Sequence, residues 1–420
     1  MDGDDCRPAH VRGRAATVRP HLDSTICEAE EGPLNLRMVY PVKAMRVVPI
    51  LCAGLLVHAA AGSTAAGQTP AGDAESVLRE GTLAQEHGDM KTAIADFKRA
   101  LTLKPDSIQA RADLGAALAA AGQLDAAIEE DSHVLELSPQ NDAVRMNLAM
   151  AYYRTGNWNQ ARVEFEKLHA AHPSDLNTAV LLGYTYNKLN RQGEAASLLA
   201  PMEPGHEDDY QFEYVYAYAL IASGKPDQGL PRMEKLAKAK NSAEAWLLAG
   251  SARFYRGEMK IAREDLDAAV VLNPKLPGLY TMAGQARYAM RDMPAATTAF
   301  QAALRADPMD FVANRDLGAM RLKEGDTANA RPLLELALQL QPKDPLTRFE
   351  MAKLDDRAGK YAEAATILED LVKTDPNWLD AHWLLAAVYS EMNRLEDGKR
   401  ERAIAHDIQL KQTAATTEKN

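Results

Sequence analysis

Two small groups of side chains have the residue types that metal or acid–base chemistry needs. His169 and His172 stand one helical turn apart, and His206, Glu207, Asp208 and Asp209 form an unbroken polar run. Imidazole and carboxylate are common ligands for divalent ions, yet short His and acidic runs in connecting segments are usually solvated loops. Cys6, Cys27 and Cys52 all lie in the first eighth of the chain, so the body has no thiol nucleophile, disulfide or thiolate metal site. The chain also lacks a Gly-rich phosphate loop with its Lys, a His-Glu-x-x-His pair and a nucleophile elbow around Ser. These residues therefore point to no enzyme, no cofactor and no metal, and the question becomes what the rest of the chain positions instead.

Charge narrows the partners. The formal net charge is -11. Residues 1–66 contribute nothing to it: Asp2, Asp4, Asp5, Asp23, Glu28, Glu30 and Glu31 offset Arg7, Arg12, Arg14, Arg19, Arg37, Lys43 and Arg46. The acidity belongs to the remainder, and an acidic body without a basic stripe repels phosphate backbones, so nucleic acid is not an expected partner. Hydrophobic residues make up 46% of the chain but aromatics only 6%, a supply that suits helices packed through Ala and Leu.

Near the N-terminus, Lys43 and Arg46 precede the apolar run Val47 to Ala61, which small residues follow at Gly62-Ser63-Thr64-Ala65-Ala66. A basic region, a short hydrophobic core and a small-residue zone are the layout of an export signal, and the run is short for a membrane span. We expect residues 45–66 to be a cleaved signal peptide, with a membrane-anchored chain if the signal is retained. Residues 1–44 then read as disordered or as a start placed too early, because Met38 or Met45 would each open the signal naturally. Pro49-Ile50-Leu51 ahead of Cys52 make a poor lipid-attachment signal.

The main organising feature is a ladder of prolines at 105, 139 and 173, then 274, 308, 342 and 376. Neighbours differ by 34 residues, and the gap from 173 to 274 holds three such units less one residue. With each closing proline set as position 32, position 8 reads Gly81, Gly115, Ala149, Gly183, Ala217, Gly250, Gly284, Gly318, Ala352 and Ala386. Position 20 reads Ala93, Ala127, Ala161, Ala195, Gly229, Ala262, Ala296, Ala330, Ala364 and Gly398. Two helices approach closely only where the crossing side chains are small, so these sites predict a hairpin of helices in every unit. Leu114, Leu148, Leu182, Leu317 and Leu385 at position 7, and Phe97, Phe165, Leu199, Phe300, Leu334 and Leu368 at position 24, are the expected core. Glycines at position 15 (Gly88, Gly122, Gly156, Gly224, Gly257, Gly325 and Gly359) should end each first helix in a left-handed turn. Asp106, Asp142, Asp175, Asp310 and Asp344 are placed to cap the next first helix.

This pattern resembles the tetratricopeptide repeat family over residues 74–412, as about ten units. The resemblance implies an all-α, right-handed α-solenoid whose first helices line a concave groove. Departures mark the least regular places. Pro201 and Pro204 should shorten the second helix of unit four, and Pro231 and Pro332 fall inside second helices, so unit five is expected to be bent or irregular. Asp131 stands at position 24, where its siblings carry Phe or Leu, and is expected to reach solvent or a partner. Residues 413–420 read as a disordered tail.

The same resemblance assigns positions 2, 5, 9, 12 and 13 of the first helices to the groove, and there the middle of the chain changes character. Met146, Asn147, Met150, Tyr153, Arg154, Tyr184, Asn187, Tyr214, Tyr218, Phe254, Tyr255, Gln285 and Tyr288 form the expected ligand-binding lining, together with Asn177. Tyr couples an apolar face to a hydroxyl and Asn offers a donor beside an acceptor, a combination that grips an extended peptide. Some of these rings could equally fill contacts between adjacent first helices. Relatives that hold acidic C-terminal tails use a Lys and Asn clamp on three consecutive units; Asn147, Arg154, Asn187 and Lys188 match it only in part. The expected function is a non-catalytic protein–protein interaction scaffold of the bacterial envelope, periplasmic or secreted. The alternative is a periplasmic subunit of a polysaccharide export or assembly complex that contacts glycan.

Overall fold

The computed structural model describes residues 73–418. The cysteines, the signal segment and the question of the start all lie outside the described residues. Twenty α-helices occupy the described chain as ten consecutive pairs, with no strand among them. The pairs are α1 (Ala74–Glu86) with α2 (Met90–Leu103), α3 (Ile108–Ala120) with α4 (Leu124–Leu137), α5 (Asp142–Thr155) with α6 (Trp158–Ala171), and α7 (Leu176–Lys188) with α8 (Gln192–Leu199). They continue as α9 (Tyr210–Ala222) with α10 (Pro226–Lys240), α11 (Ala243–Tyr255) with α12 (Met259–Leu272), and α13 (Leu279–Ala289) with α14 (Met293–Ala306). Last come α15 (Phe311–Lys323) with α16 (Thr327–Leu340), α17 (Pro345–Arg357) with α18 (Tyr361–Thr374), and α19 (Leu379–Glu391) with α20 (Leu395–Glu418). The fold class is the expected all-α helical repeat. The described chain forms two compact units, 73–286 and 287–418, each of which is a stack of such pairs.

The turn between paired helices has one conformation throughout. Position 15 is left-handed in all ten pairs: seven times Gly, with φ from 72° to 85°, and otherwise Asn190 (57°), Arg291 (61°) and Asn393 (60°). Asn tolerates this region through its short polar side chain, whereas Arg291 bears the full Cβ penalty. Asp175, Asp310 and Asp344 cap their helices as expected, each accepting a backbone N–H three residues on. In the second and third pairs the cap falls one residue away from the expected aspartate. Ser107 caps α3 in place of Asp106, and Asn141 caps α5 while Asp142 becomes its first residue.

The small sites lie at the crossings. A Cβ added to Gly81 would sit 2.7 Å from the Phe97 ring, at Gly183 2.9 Å from Leu199, at Gly250 2.8 Å from Leu266, and at Gly318 2.8 Å from Leu334. In each case position 8 of the first helix receives position 24 of the second, so the glycine is what admits the large core side chain. Position 20 works in the opposite sense: a Cβ on Gly229 would fall 2.6 Å from the Ala217 carbonyl oxygen. The Phe and Leu fillers at positions 7 and 24 are buried throughout.

Four departures have local causes. Helix α8 stops after eight residues and passes into a 3-10 turn, Ala200–Met202, because Pro201 cannot continue the ladder. Helix α10 runs without a break through Pro231, and α16 through Pro332, so unit five is not irregular there. Each proline sits at the sixth residue of its helix and removes a single early N–H, which the remaining turns tolerate. The residue missing from the proline ladder is lost at the end of α10. There Asn241, left-handed at φ 49°, joins α10 directly to the Ser242 cap of α11 and replaces the longer proline turn used elsewhere. Finally, α20 continues to Glu418, past the expected end of the repeats at 412.

Asp131 does not reach solvent. It is fully buried, and neither carboxylate oxygen finds a hydrogen-bond partner. Gly115 makes this possible, since a Cβ there would lie 2.2 Å from Oδ1: the carboxyl occupies space that the glycine opens, as the Phe and Leu side chains do in sibling pairs.

A polar latch that the sequence patterns did not announce recurs between position 4 and position 23 of a pair. Arg111 meets Glu130 at 2.8 Å, Arg145 meets Glu164 at 2.5 Å, and His382 meets Glu401 at 2.6 Å. The same position-4 side chains also donate to the closing-proline carbonyl of the preceding pair, at Pro105, Pro139 and Pro376. The fifth pair reverses the charges, with Glu213 held at 2.8 Å by Arg232.

Candidate binding surface

Within each compact unit first helices of successive pairs touch one another (α1 with α3, α3 with α5, α7 with α9 and α9 with α11 in the first; α15 with α17 and α17 with α19 in the second). No neighbouring second helices pack as closely among the described residues. The first helices therefore line the inner side of each stack, and the expected lining residues sit on them. All but Tyr288 belong to the first unit; Tyr288 lies just past the division at Ala286 and is half-buried, like Gln285.

The centre of this surface is an aromatic patch on α5, α6 and α7. The Tyr153 ring lies 5.3 Å from Trp158 in an edge-to-face contact and 5.3 Å from Tyr184, and Trp158 and Tyr184 are 6.2 Å apart. The Lys188 ammonium stands over the Tyr184 and Trp158 rings at 5.3 and 5.9 Å, a cation–π arrangement. Trp158 was absent from the expected set because it opens a second helix; a large ring directly after the Gly156 turn was the signal available for it. Tyr153 and Tyr184 join the core cluster built around Phe165, Leu199 and Phe212, with Met146 and Met150 packed against it. Tyr214 and Tyr218 join a second cluster with Met233 and Leu248. All four tyrosines are buried, so their rings also contribute to packing.

The polar groups of the patch are more telling. Asn187 donates from Nδ2 to the Val215 carbonyl at 3.2 Å, tying α7 to α9, while its buried Oδ1 has no partner. Tyr184 stands one turn before Asn187 on α7, and Val215 belongs with Tyr184 to the same core cluster. Arg154 is exposed and donates to the Ala119 carbonyl at 2.9 Å, bridging the third pair to the second. Tyr210 and Tyr214 stack at 6.1 Å, and the Tyr210 hydroxyl meets Ser242 at 2.9 Å. Phe254 and Tyr255 form an edge-to-face pair at 5.3 Å, and Tyr255 is 47% exposed. Asn147 is half-buried, and Asn177 is exposed.

Burial pushes the Tyr184 hydroxyl up to about 12, with a hydrogen bond from the Tyr153 side pulling the other way, and burial pushes Tyr218 up to about 12 as well. Burial likewise draws the Lys188 ammonium down. Hydroxyls held this far above neutrality stay protonated and serve as hydrogen-bond donors and acceptors. A hollow of 570 Å³ lies between α6, α7 and the start of α8, beside Glu166, His169, Tyr186 and Gln192. His172 pairs with Asp142 at 2.8 Å and Asp209 caps α9, so neither His group assembles as a ligand cluster. Among the described residues no group of three or more His, Cys, Asp or Glu side chains could hold a metal ion, and no helix is long and apolar enough to cross a membrane.

The family models that match the chain agree with this architecture. Two family models, each described as a tetratricopeptide repeat, match the chain: one at residues 84–130, 132–179 and 321–387, the other at 214–277 and 281–345. A solved tetratricopeptide repeat protein from Parabacteroides merdae is similar with 17% identity and a TM-score of 0.49, covering 63% of this chain and 98% of that one. Yeast Tom70 is similar with 16% identity and a TM-score of 0.34, over 81% of this chain and 96% of its own. A monomeric mutant of IFIT1 with m7Gppp-AAAA is similar with 14% identity and a TM-score of 0.43, over 80% and 90%. With ten helix pairs in one register and the family models matching along most of their length, the chain belongs to the tetratricopeptide repeat family.

Proposed function

We propose that this protein is a non-catalytic scaffold of the bacterial envelope that binds an extended polypeptide segment along the inner side of its third to sixth pairs. Repeat folds of this type serve in general as protein–protein interaction scaffolds, which supplies the coarse reading. The observation that carries the finer one is Asn187 Oδ1, a buried acceptor without a partner at the contact of α7 with α9. Buried polar atoms are nearly always paired, and an amide N–H of a bound segment would complete this one once the Asn187 side chain turns outward from the contact of α7 with α9. The envelope assignment is supported by the basic, apolar and small-residue order of residues 43–66.

The test is binding of short peptides from a random library, measured by fluorescence anisotropy, on the chain and on Asn187→Leu, Tyr184→Phe and Tyr218→Phe. Removal of whole tyrosine rings would leave cavities costing about 3–5 kcal/mol, so only hydroxyls and the amide are altered. Loss of the Asn187 bond should weaken selected peptides by about three- to tenfold with helicity unchanged. Equal binding by all three variants would remove the inner surface from the reading. Binding of glycans on an array, with no peptide selected, would replace the polypeptide by a polysaccharide.

A further inference from the structure

Asp131 is the one residue at position 24 that carries a carboxyl into the middle of a pair; Phe97, Phe165, Leu199, Met233, Leu266, Phe300, Leu334 and Leu368 fill that place in eight others. Its oxygens have no partner, although charged groups stand on every helix packed against α4, namely α3 and α5. On α3, Arg111 is taken by Glu130 and the Pro105 carbonyl, and Asp113 by Gln109. On α5, Asp142 is taken by His172, Arg145 by Glu164 and the Pro139 carbonyl, and Arg154 by the Ala119 carbonyl. On α4 itself, Glu130 adds a like charge next to Asp131, and His133 turns to Glu136. Among the described residues of α3, α4 and α5 no cation is left to compensate Asp131, and a charge in this position is costly to keep buried.

We propose that the second pair, α3 with α4, is a pH-operated gate on the N-terminal edge of the inner surface, closed while Asp131 is protonated and loosened when Asp131 ionises. Burial, and then the neighbouring Glu130, push this carboxyl from its ordinary 3.8 to about 7. Because the folded value is raised, the stability that depends on the proton is complete below about pH 4 and falls as pH climbs through the window up to about 7. The link to the surface is Arg154, whose guanidinium is fastened to the last turn of α3 at the Ala119 carbonyl. Loosening α3 frees that arginine and unseats the edge of α5, which bears Met146, Met150 and Tyr153. As a regulation of partner binding, the inference rests on the function proposed above; the gate itself does not.

Hydrogen–deuterium exchange of the full chain, read by mass spectrometry at pH 5 to 8 and corrected for intrinsic rates, separates the two. Amides of residues 108–137 should open on the order of a hundredfold more often at pH 8 than at pH 5, with those of the eighth pair unmoved. Asp131→Leu, which restores the sibling residue, should remove most of this dependence, leaving only what Asp113, also raised by burial, contributes; His133→Gln should leave it intact. A flat wild-type profile, or a dependence that survives Asp131→Leu undiminished, overturns the gate. Peptide affinity is then measured in both proteins: binding that weakens with pH in the wild type and not in Asp131→Leu ties the gate to the surface. No peptide binding at any pH defeats the functional reading and leaves the exchange result standing.

Discussion

The latch between Arg145 and Glu164 allows the role of these buried ion pairs to be weighed. Both residues are buried, their charged ends meet at 2.5 Å, and Arg145 also donates to the Pro139 carbonyl. Arg145→Met leaves Glu164 with Lys167 alone, a half-exposed partner at 2.8 Å, and deprives the Pro139 carbonyl of its donor. Breaking a buried pair from one side costs roughly 3–5 kcal/mol, and the surviving Lys167 contact places this variant near 3 kcal/mol. Glu164→Leu should cost about 2 kcal/mol, because Arg145 keeps the carbonyl. The double variant should recover to within about 1–2 kcal/mol of the wild type, since an apolar pair of similar volume needs no desolvation and only the Pro139 carbonyl is left without its donor. Exchanging the charges, Arg145→Glu with Glu164→Arg, copies the fifth pair and should recover the ion pair but not the carbonyl bond, leaving it between the single and double variants. Unfolding in urea followed by hydrogen exchange of residues 142–171 is the suitable assay, because repeat arrays need not unfold as one unit. Single-variant costs that add within about 0.5 kcal/mol would refute a coupled latch.

Three further outcomes follow from the same coordinates. Gly229→Ala drives a Cβ against the Ala217 carbonyl, so thermal unfolding of the fifth pair should show a loss of about 1–3 kcal/mol, whereas Gly398→Ala, with its nearest atom at 3.1 Å, should cost far less. Arg291→Gly removes a non-glycine residue from φ 61° and should stabilise its pair by about 0.5–1 kcal/mol in denaturant melts. His382→Arg keeps both donations, to Glu401 and to the Pro376 carbonyl, and should be tolerated within about 0.5 kcal/mol, while His382→Leu strands a carboxylate and should cost about 2–3 kcal/mol.

Much of the scaffold was legible because steric demands act locally. Position 8 admits a large side chain sixteen residues later only if it is small, and position 15 turns left-handed whatever residue stands there; both leave a mark in one sequence. Asp131 was legible in place but not in burial: it stood out at position 24, yet the cost of burying an unpaired carboxylate argued for solvent, and Gly115 reads as an ordinary crossing glycine whichever way the side chain turns. The caps at Ser107 and Asn141 depend on the path of the preceding turn, where neighbouring polar residues look equivalent. The latch escaped notice because position 4 holds Arg, His or Glu and so shows no single residue type. At the inner surface, spacing placed Tyr184 and Tyr218 on the right helices. How deeply a ring sinks between adjacent first helices depends on their separation, which is closest where α8 is cut short, and spacing does not encode it.

Asn241 carries a practical consequence. The chain drops a residue there and resumes the next helix on schedule, so the link between pairs is where its length is negotiable, much as a hem can be altered without recutting the cloth. A fluorophore tag would have to be carried by the exposed Asn241 itself, because Ser242 beside it is buried and held by Tyr210 and the Ala245 N–H. The fifth pair therefore offers a natural port for labelling the protein close to the surface on which it is expected to act.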